Sequence, residues 1–187
     1  MYSIIRADRE FFKLINQTWQ NSFFDQVFPL IRNSIFWIPL YLFLLLYLLL
    51  NHKKNMLWWI IFAAGTAILT DFVSSKLIKE NIMRLRPCND PTLADSMRFL
   101  LNYCPRSSSF TSSHAATHFA LAVFFYLTLR NIIGRWALLF FLWAFLIVYA
   151  QVYVGVHFPL DVFCGAIIGT GIGYFTSYTF NKRHLLA

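Results

Sequence analysis

Charge is what this chain has least of. Asp, Glu, Lys and Arg make up 13% of its 187 residues, about half the share of an ordinary soluble domain. So few charged groups cannot cover the surface of a soluble enzyme. Acids are the scarcer sign, with 8 Asp and Glu against 16 Lys and Arg, for a formal net charge of +8. A recognisable secretory leader is also lacking. The opening MYSIIRADRE has no basic stretch followed by an apolar one and a small-residue cleavage site, so the chain's own spans are expected to direct insertion. What is abundant is apolar surface. Hydrophobic residues are 58% and aromatics 19%, with 21 Phe, 9 Tyr and 6 Trp. That excludes a disordered chain, which needs low hydrophobicity and high charge. The basic balance suits anionic lipid or a phosphate substrate, while the long apolar runs argue against a nucleic-acid partner.

A bilayer core needs about 20 predominantly apolar residues per helix. Five stretches qualify: 33–51, 56–75, 113–129, 136–156 and 162–181. The fold class expected is all-α, a single domain over 1–187, with a polytopic transmembrane bundle at 33–181. Residues 1–32 mix charge and apolarity and read as an amphipathic helix lying in the membrane interface. In it Phe11, Ile15 and Trp19 share one face and Asp8 is the expected N-cap. Five spans put the joints 51–56 and 129–136 on the same side as the C-terminus. That side holds Lys53, Lys54, Arg130, Arg135, Lys182 and Arg183 without an acid, so it is expected to be cytoplasmic.

Between the second and third spans lies a polar segment of about 35 residues, far longer than the usual connection of ~4–6. It carries Lys79, Arg84, Arg86, Cys88, Cys104 and Arg106, and ends in the run Ser107-Ser108-Ser109-Phe110-Thr111-Ser112-Ser113-His114. Ser and Thr before an apolar run signal a helix N-terminus, whose free N–H groups suit a phosphate. The fourth span ends near His157-Phe158-Pro159-Leu160-Asp161. Phe158 precedes a proline and is biased away from helix, and Pro159 suits the first turn of the next helix. Asp161 then falls where it can reach back to His157. The topology brings Lys79, Arg86, Ser112, Ser113, His114, His157 and Asp161 to one membrane surface. A neutral His can attack phosphorus, a carboxylate can fix its tautomer, a second His can protonate the leaving oxygen, and cations with backbone N–H groups can hold the phosphoryl oxygens.

These residues resemble the motifs of the type 2 phosphatidic acid phosphatases, membrane-embedded lipid phosphatases. Lys79, Arg86 and Pro87 match K-x-x-x-x-x-x-R-P in full; Thr111-Ser112-Ser113-His114 matches P-S-G-H in part; Ala150, Gln151, His157 and Asp161 match S-R-x-x-x-x-x-H-x-x-x-D in part. The resemblance implies a phosphohistidine on His157, Asp161 as its partner and His114 as general acid. It implies a phosphate cradle of Lys79, Arg86 and the Ser112-Ser113 backbone, with no metal or other cofactor. Gln151 stands where the family has arginine. It brings neutral donors and no charge, so Arg84 and Arg106 are the candidates to supply the missing cation.

The reaction expected is hydrolysis of a lipid phosphate or pyrophosphate. Undecaprenyl pyrophosphate is the first choice, followed by phosphatidylglycerophosphate, phosphatidic acid and lipid A 1-phosphate. The expected location is a bacterial inner membrane, with the site on the periplasmic face. A weakened protein that only binds lipid phosphate, or a carrier, is the alternative. His114 and His118, four apart, are also spaced for a metal pair, yet no third ligand is evident. Asp71, within the second span, is either functional or a hydrogen bond to a neighbouring helix. Cys88 and Cys104 flank the loop and either form a disulfide or stay free.

Overall fold

A computed structural model describes residues 2–93, 95–184 and 186, and among them there is no strand. Among the described residues seven α-helices follow one another: α1 (Tyr2–Lys13), α2 (Ser22–Ile31), α3 (Ile38–Asn51), α4 (Lys53–Phe72), α5 (Ser113–Ile133), α6 (Leu139–Tyr153) and α7 (Pro159–Arg183). Continuous helical runs long and apolar enough to cross a membrane cover Ser34–Asn51, Lys53–Ile78, Ser113–Tyr153 and Pro159–Arg183. The third is 41 residues long and is two crossings rather than one. It reverses at Gly134, whose φ of +58° is a conformation that side chains other than glycine's resist. Beyond the reversal α6 returns alongside α5, with the rings of Phe125 and Phe140 at 5.1 Å and those of Tyr126 and Phe141 at 5.2 Å. The bundle therefore has the five crossings that hydropathy implies, with α4, α5 and α7 running a few residues past the apolar runs and α3 and α6 lying within them.

The centre of the bundle is α5 against α7. Gly165, Gly169 and Gly173 recur every four residues on α7 and face Ser112, Ala116 and Ala120 on α5. A Cβ on Gly169 would stand 2.0 Å from the Ala116 carbonyl oxygen, so the two backbones touch with nothing between them. Small residues at this spacing are how helices approach closely in lipid, where apolar burial alone favours no particular partner.

The N-terminal segment folds as two helices, α1 and α2, rather than one. α2 lays Phe28 against Tyr149 (5.4 Å) and Tyr153 (4.7 Å) of α6. α1 and the helical turn that continues it put Asp8, Phe12 and Ile15 inward, an i, i+4, i+7 stripe. Phe11 and Trp19, expected to share one face with Ile15, are both exposed and pair edge-to-face at 6.4 Å, because a four-residue spacing drifts around the helix and only Ile15 stays on the buried stripe. Asp8 does not cap its own helix, which begins at Tyr2. Its Oδ1 instead accepts the Leu160 N–H at 2.7 Å, capping the first turn of α7.

The long connection after α4 is folded down and fastened. Cys88 and Cys104 form a disulfide, Arg9 pairs with Asp90 at 2.7 Å, and Arg98 pairs with Asp25. Asn16 donates to the Arg98 and Tyr153 carbonyls and accepts the Arg98 N–H, each at 2.8 Å. The loop is thereby tied to α2 and to the turn after α1.

Candidate active site

The turn between α6 and α7 carries His157, which is 2% exposed. Phe158 is extended, with φ −78° and ψ 155°, and Pro159 opens α7 as the first helical residue. Asp161 is the third, and its Oδ2 accepts the Phe158 N–H at 2.9 Å. The same oxygen accepts the Ser109 hydroxyl at 2.5 Å and lies 3.7 Å from His157 Nδ1, while Ser109 Oγ lies 3.4 Å from that nitrogen. The other oxygen, Oδ1, accepts Arg84 Nη1 at 2.5 Å. Arg84 is clamped between Asp161 and Asp8, and its guanidinium lies over the Phe158 ring at 4.4 Å.

The other ring nitrogen, Nε2, is 3.1 Å from Arg86 Nη1. A guanidinium can only donate, so Nε2 carries the lone pair and Nδ1 the proton, an assignment made from the network. Burial is the main cause that pushes His157 down to about 4, opposed by its bond to Asp161 and reinforced by the charge on Arg86. The imidazole is thus neutral at pH 7, with its lone pair turned to a cation. Arg86 is held by the Ser107 and Val156 carbonyls at 3.0 and 3.2 Å and by Ser107 Oγ at 3.1 Å. Burial, opposed by Asp161 and helped by the charge of Arg32, pushes it down to about 10, so it stays cationic.

Lys79 follows the end of the α4 run and is half-buried. Burial first and Arg86 second lower it to about 8, against the pull of Asp71 and Asp161. The side chain is charged at neutral pH and loses its proton only on the alkaline side. The free enzyme's kcat/KM is therefore expected to fall as pH rises through about 8, and Lys79→Arg is expected to move that limb upward by more than a unit. A pH profile of both proteins on one substrate checks this, since the substrate's own titration is common to both.

At the start of α5, Ser112 Oγ caps the helix by accepting the Ala115 N–H at 3.3 Å, and the Ser112 N–H donates to the Asp161 carbonyl at 3.1 Å. That amide, expected to face a phosphate, is engaged in joining α5 to α7. Available amides begin at Ser113 and His114, the first helical residues, which have no intrahelical carbonyl to reach. Ser113 Oγ bonds Ser75 and Ser74 at 2.9 and 3.1 Å, and Ser75 donates to Asp71 at 2.9 Å. Asp71 thus bonds within its own helix, one hydroxyl removed from α5. His114 lines a groove of about 640 Å³ together with Ala67, Ile68, Asp71 and Phe72 of α4. His118 is buried, bonds the His114 carbonyl at 2.8 Å and packs on Trp143 at 5.1 Å. Among the described residues no three His, Cys, Asp or Glu side chains gather as a metal site.

Gln151 is fully buried on α6, and its carbonyl oxygen accepts the backbone N–H of Val156 and His157 at 3.2 and 3.3 Å. All eight positions singled out from sequence thus lie at the same end of α4, α5, α6 and α7, with Arg86, His157 and Asp161 in direct contact and Ser113 and His114 lining the groove. Sequence reasoning missed Asp8 and Arg32, which come from the N-terminal helices, and the role of Ser109, one hydroxyl in a run of several.

A neutral imidazole backed by a carboxylate, with two cations, at the ends of four spans is a phosphoryl-transfer arrangement. Comparison with known proteins agrees, because the model of the PAP2 superfamily matches residues 56–185. The chain belongs to the PAP2 superfamily. It is 33% identical over 168 residues to the lipid A 4′-phosphatase of Bacteroides thetaiotaomicron, covering 86% of this chain and 73% of that protein. It is 30% identical over 177 residues to the undecaprenyl-diphosphatase of Sulfolobus acidocaldarius, covering 88% and 74%. Among solved structures, Aquifex aeolicus LpxE superposes with a TM-score of 0.61 at 27% identity, over 89% of this chain and 92% of that one. The transmembrane PAP2 type phosphatidylglycerolphosphate phosphatase of Bacillus subtilis shares the fold, with a TM-score of 0.72 at 20% identity, over 98% and 89%. This PAP2 chain is accordingly a membrane lipid phosphatase.

Proposed function

We propose that this PAP2 enzyme removes a phosphomonoester from a glycolipid of the lipid A type, through a phosphohistidine on His157. The observation that carries the mechanism is the orientation of that ring, with Nδ1 toward Asp161 and Ser109 and Nε2 toward Arg86. The Nε2 lone pair attacks phosphorus, the N–P bond forms, and the P–O bond to the lipid breaks. His114 gives its proton to the departing oxygen, producing a lipid hydroxyl. Water then attacks the phosphohistidine, His114 recovers a proton from it, and the N–P bond breaks to release inorganic phosphate. Lys79, Arg86 and the Ser113 and His114 amides hold the equatorial oxygens.

The choice of lipid is supported by relatives from Bacteroides thetaiotaomicron and Porphyromonas gingivalis, both named lipid A 4′-phosphatase, the latter 27% identical over 178 residues. It displaces undecaprenyl pyrophosphate from first choice. The Sulfolobus relative keeps that substrate as a second reading. The groove beside His114 is lined by the exposed Ile68 and Phe72, which suits an acyl chain whose phosphate sits at His114. The Cys88–Cys104 disulfide in the site's loop fits an oxidising compartment. The six cations at the opposite ends of the helices fit the cytoplasm. Together they favour the outer face of a bacterial plasma membrane.

The test is phosphate release by the purified chain from lipid A, undecaprenyl pyrophosphate, phosphatidylglycerophosphate and phosphatidic acid, with and without chelator. The expected outcome is the highest kcat/KM on lipid A, with chelator changing nothing. A tenfold preference for the pyrophosphate would instead establish the second reading, and loss of turnover with chelator would overturn metal-independent chemistry.

A further inference from the structure

The third motif lacks its arginine, and neither cation considered from sequence replaces it. Arg84 is clamped between Asp8 and Asp161, so its charge is already answered. Arg106 is exposed. A different guanidinium reaches the position. Arg32 directly follows α2, its N–H bonded to the Phe28 carbonyl at 3.1 Å. Its side chain reaches α6, where it donates Nε–H to Gln151 Oε1 at 3.4 Å, close enough for its charge to act on Arg86. Among the described ion pairs none involves Arg32, and burial lowers its proton affinity.

Gln151 completes the arrangement. Its Nε2 is a buried donor without a hydrogen-bond partner, which native interiors seldom tolerate unless a ligand or water answers it. Its backbone carbonyl holds the N–H of His157, so the side chain that grips Arg32 is part of the nucleophile's own turn. An arginine at 151 would combine charge and donors in one residue. Here the charge comes from 32 and a neutral donor from 151, with Oε1 aiming the guanidinium.

We propose that Arg32, aimed by Gln151, is the phosphoryl-binding cation that the third motif no longer carries, and that the Gln151 amide donates a second bond to the same dianionic group. This rests on the phosphatase reading above. It also makes the segment before the first span part of the active site.

The test uses the full chain in detergent, with hydrolysis of dioctanoyl phosphatidic acid and calorimetric binding of orthovanadate as independent readouts. Arg32→Ala is expected to lower kcat about 10²-fold, the scale on which one preorganised donor to a developing anion acts, and to weaken vanadate binding by a similar factor. Arg32→Lys is expected to fall between, because an ammonium has no second fork to hold Gln151. Adding Gln151→Arg to Arg32→Ala is expected to recover at least tenfold in both readouts, which a merely structural Arg32 would not allow. The inference is overturned if Arg32→Ala keeps kcat and vanadate affinity within threefold of the parent, if the double variant is no better than the single, or if the parent binds no vanadate. His157→Ala separates the two claims. Hydrolysis surviving in it would sink the phosphatase reading itself, whereas its loss alongside an unaffected Arg32→Ala would sink only the role of Arg32.

Discussion

Lipid phosphate hydrolysis is expected to drop on the order of 10⁴-fold or more in His157→Ala, the scale seen when a covalent nucleophile is removed. The size follows from the geometry. Among the described residues Nε2 of His157 is the one imidazole nitrogen bonded to the Arg86 guanidinium; the guanidinium's other partners are carbonyls and a serine hydroxyl, so no neighbour inherits the task of Nε2. The ring is buried and its loss leaves Arg86 facing a void, so a thermal melt must accompany the assay. His157→Gln, which keeps polar contact with Arg86, is expected to melt near the parent and be equally inactive. Asp161→Asn is expected to retain more activity than either, because the Phe158 cap and the Ser109 contact can persist while the Nδ1 proton loses its anionic partner. An acid-labile phosphoenzyme formed by the parent and missing in His157→Ala would identify the intermediate.

The second large effect is on assembly. Gly169→Leu is expected to destabilise the protein by on the order of 3 kcal/mol or more, since overpacking of a tight contact costs about 1–3 kcal/mol even for small additions. Here the added Cβ alone would lie 2.0 Å from the Ala116 carbonyl oxygen and 2.8 Å from its carbon, both backbone atoms that cannot swing away. Separating α5 from α7 also breaks the bond from the Ser112 N–H to the Asp161 carbonyl, so His114 and His157 move apart and activity falls with stability. Gly171→Ala is the control. A Cβ there meets nothing within 4 Å, and it should melt at or above the parent, because alanine favours helix more than glycine does. Detergent-phase thermal unfolding of the two variants, with activity measured on each, checks the contrast.

How much of this is written in the sequence depends on how far along the chain each partner lies. The bend at His157 is legible, because Phe158, Pro159 and Asp161 are neighbours and their backbone preferences act locally. The crossings are legible because lipid demands long apolar runs. The every-fourth-residue glycines on α7 are visible too, but the spacing names no partner helix, and only packing shows that α5 receives them. Asp8 is misread for the opposite reason. A short acid ahead of an amphipathic pattern suggests a cap, and nothing local says that it caps a helix about 150 residues later in the chain. The replacement for the motif arginine is hidden in the same way, since no spacing rule connects residue 32 to residue 151.

The capping of α7 by Asp8 bears on where this protein can be cut. A fragment trimmed to the part that the family model covers, 56–185, would keep every motif letter yet strip the carboxylate from the head of the last crossing. Arg84 would be left with Asp161 as its sole counter-ion, pulling on the acid that steadies the nucleophile. The smallest working unit is therefore larger than the shared signature. Tags belong beyond the last turn of α7, a helix length away from His157.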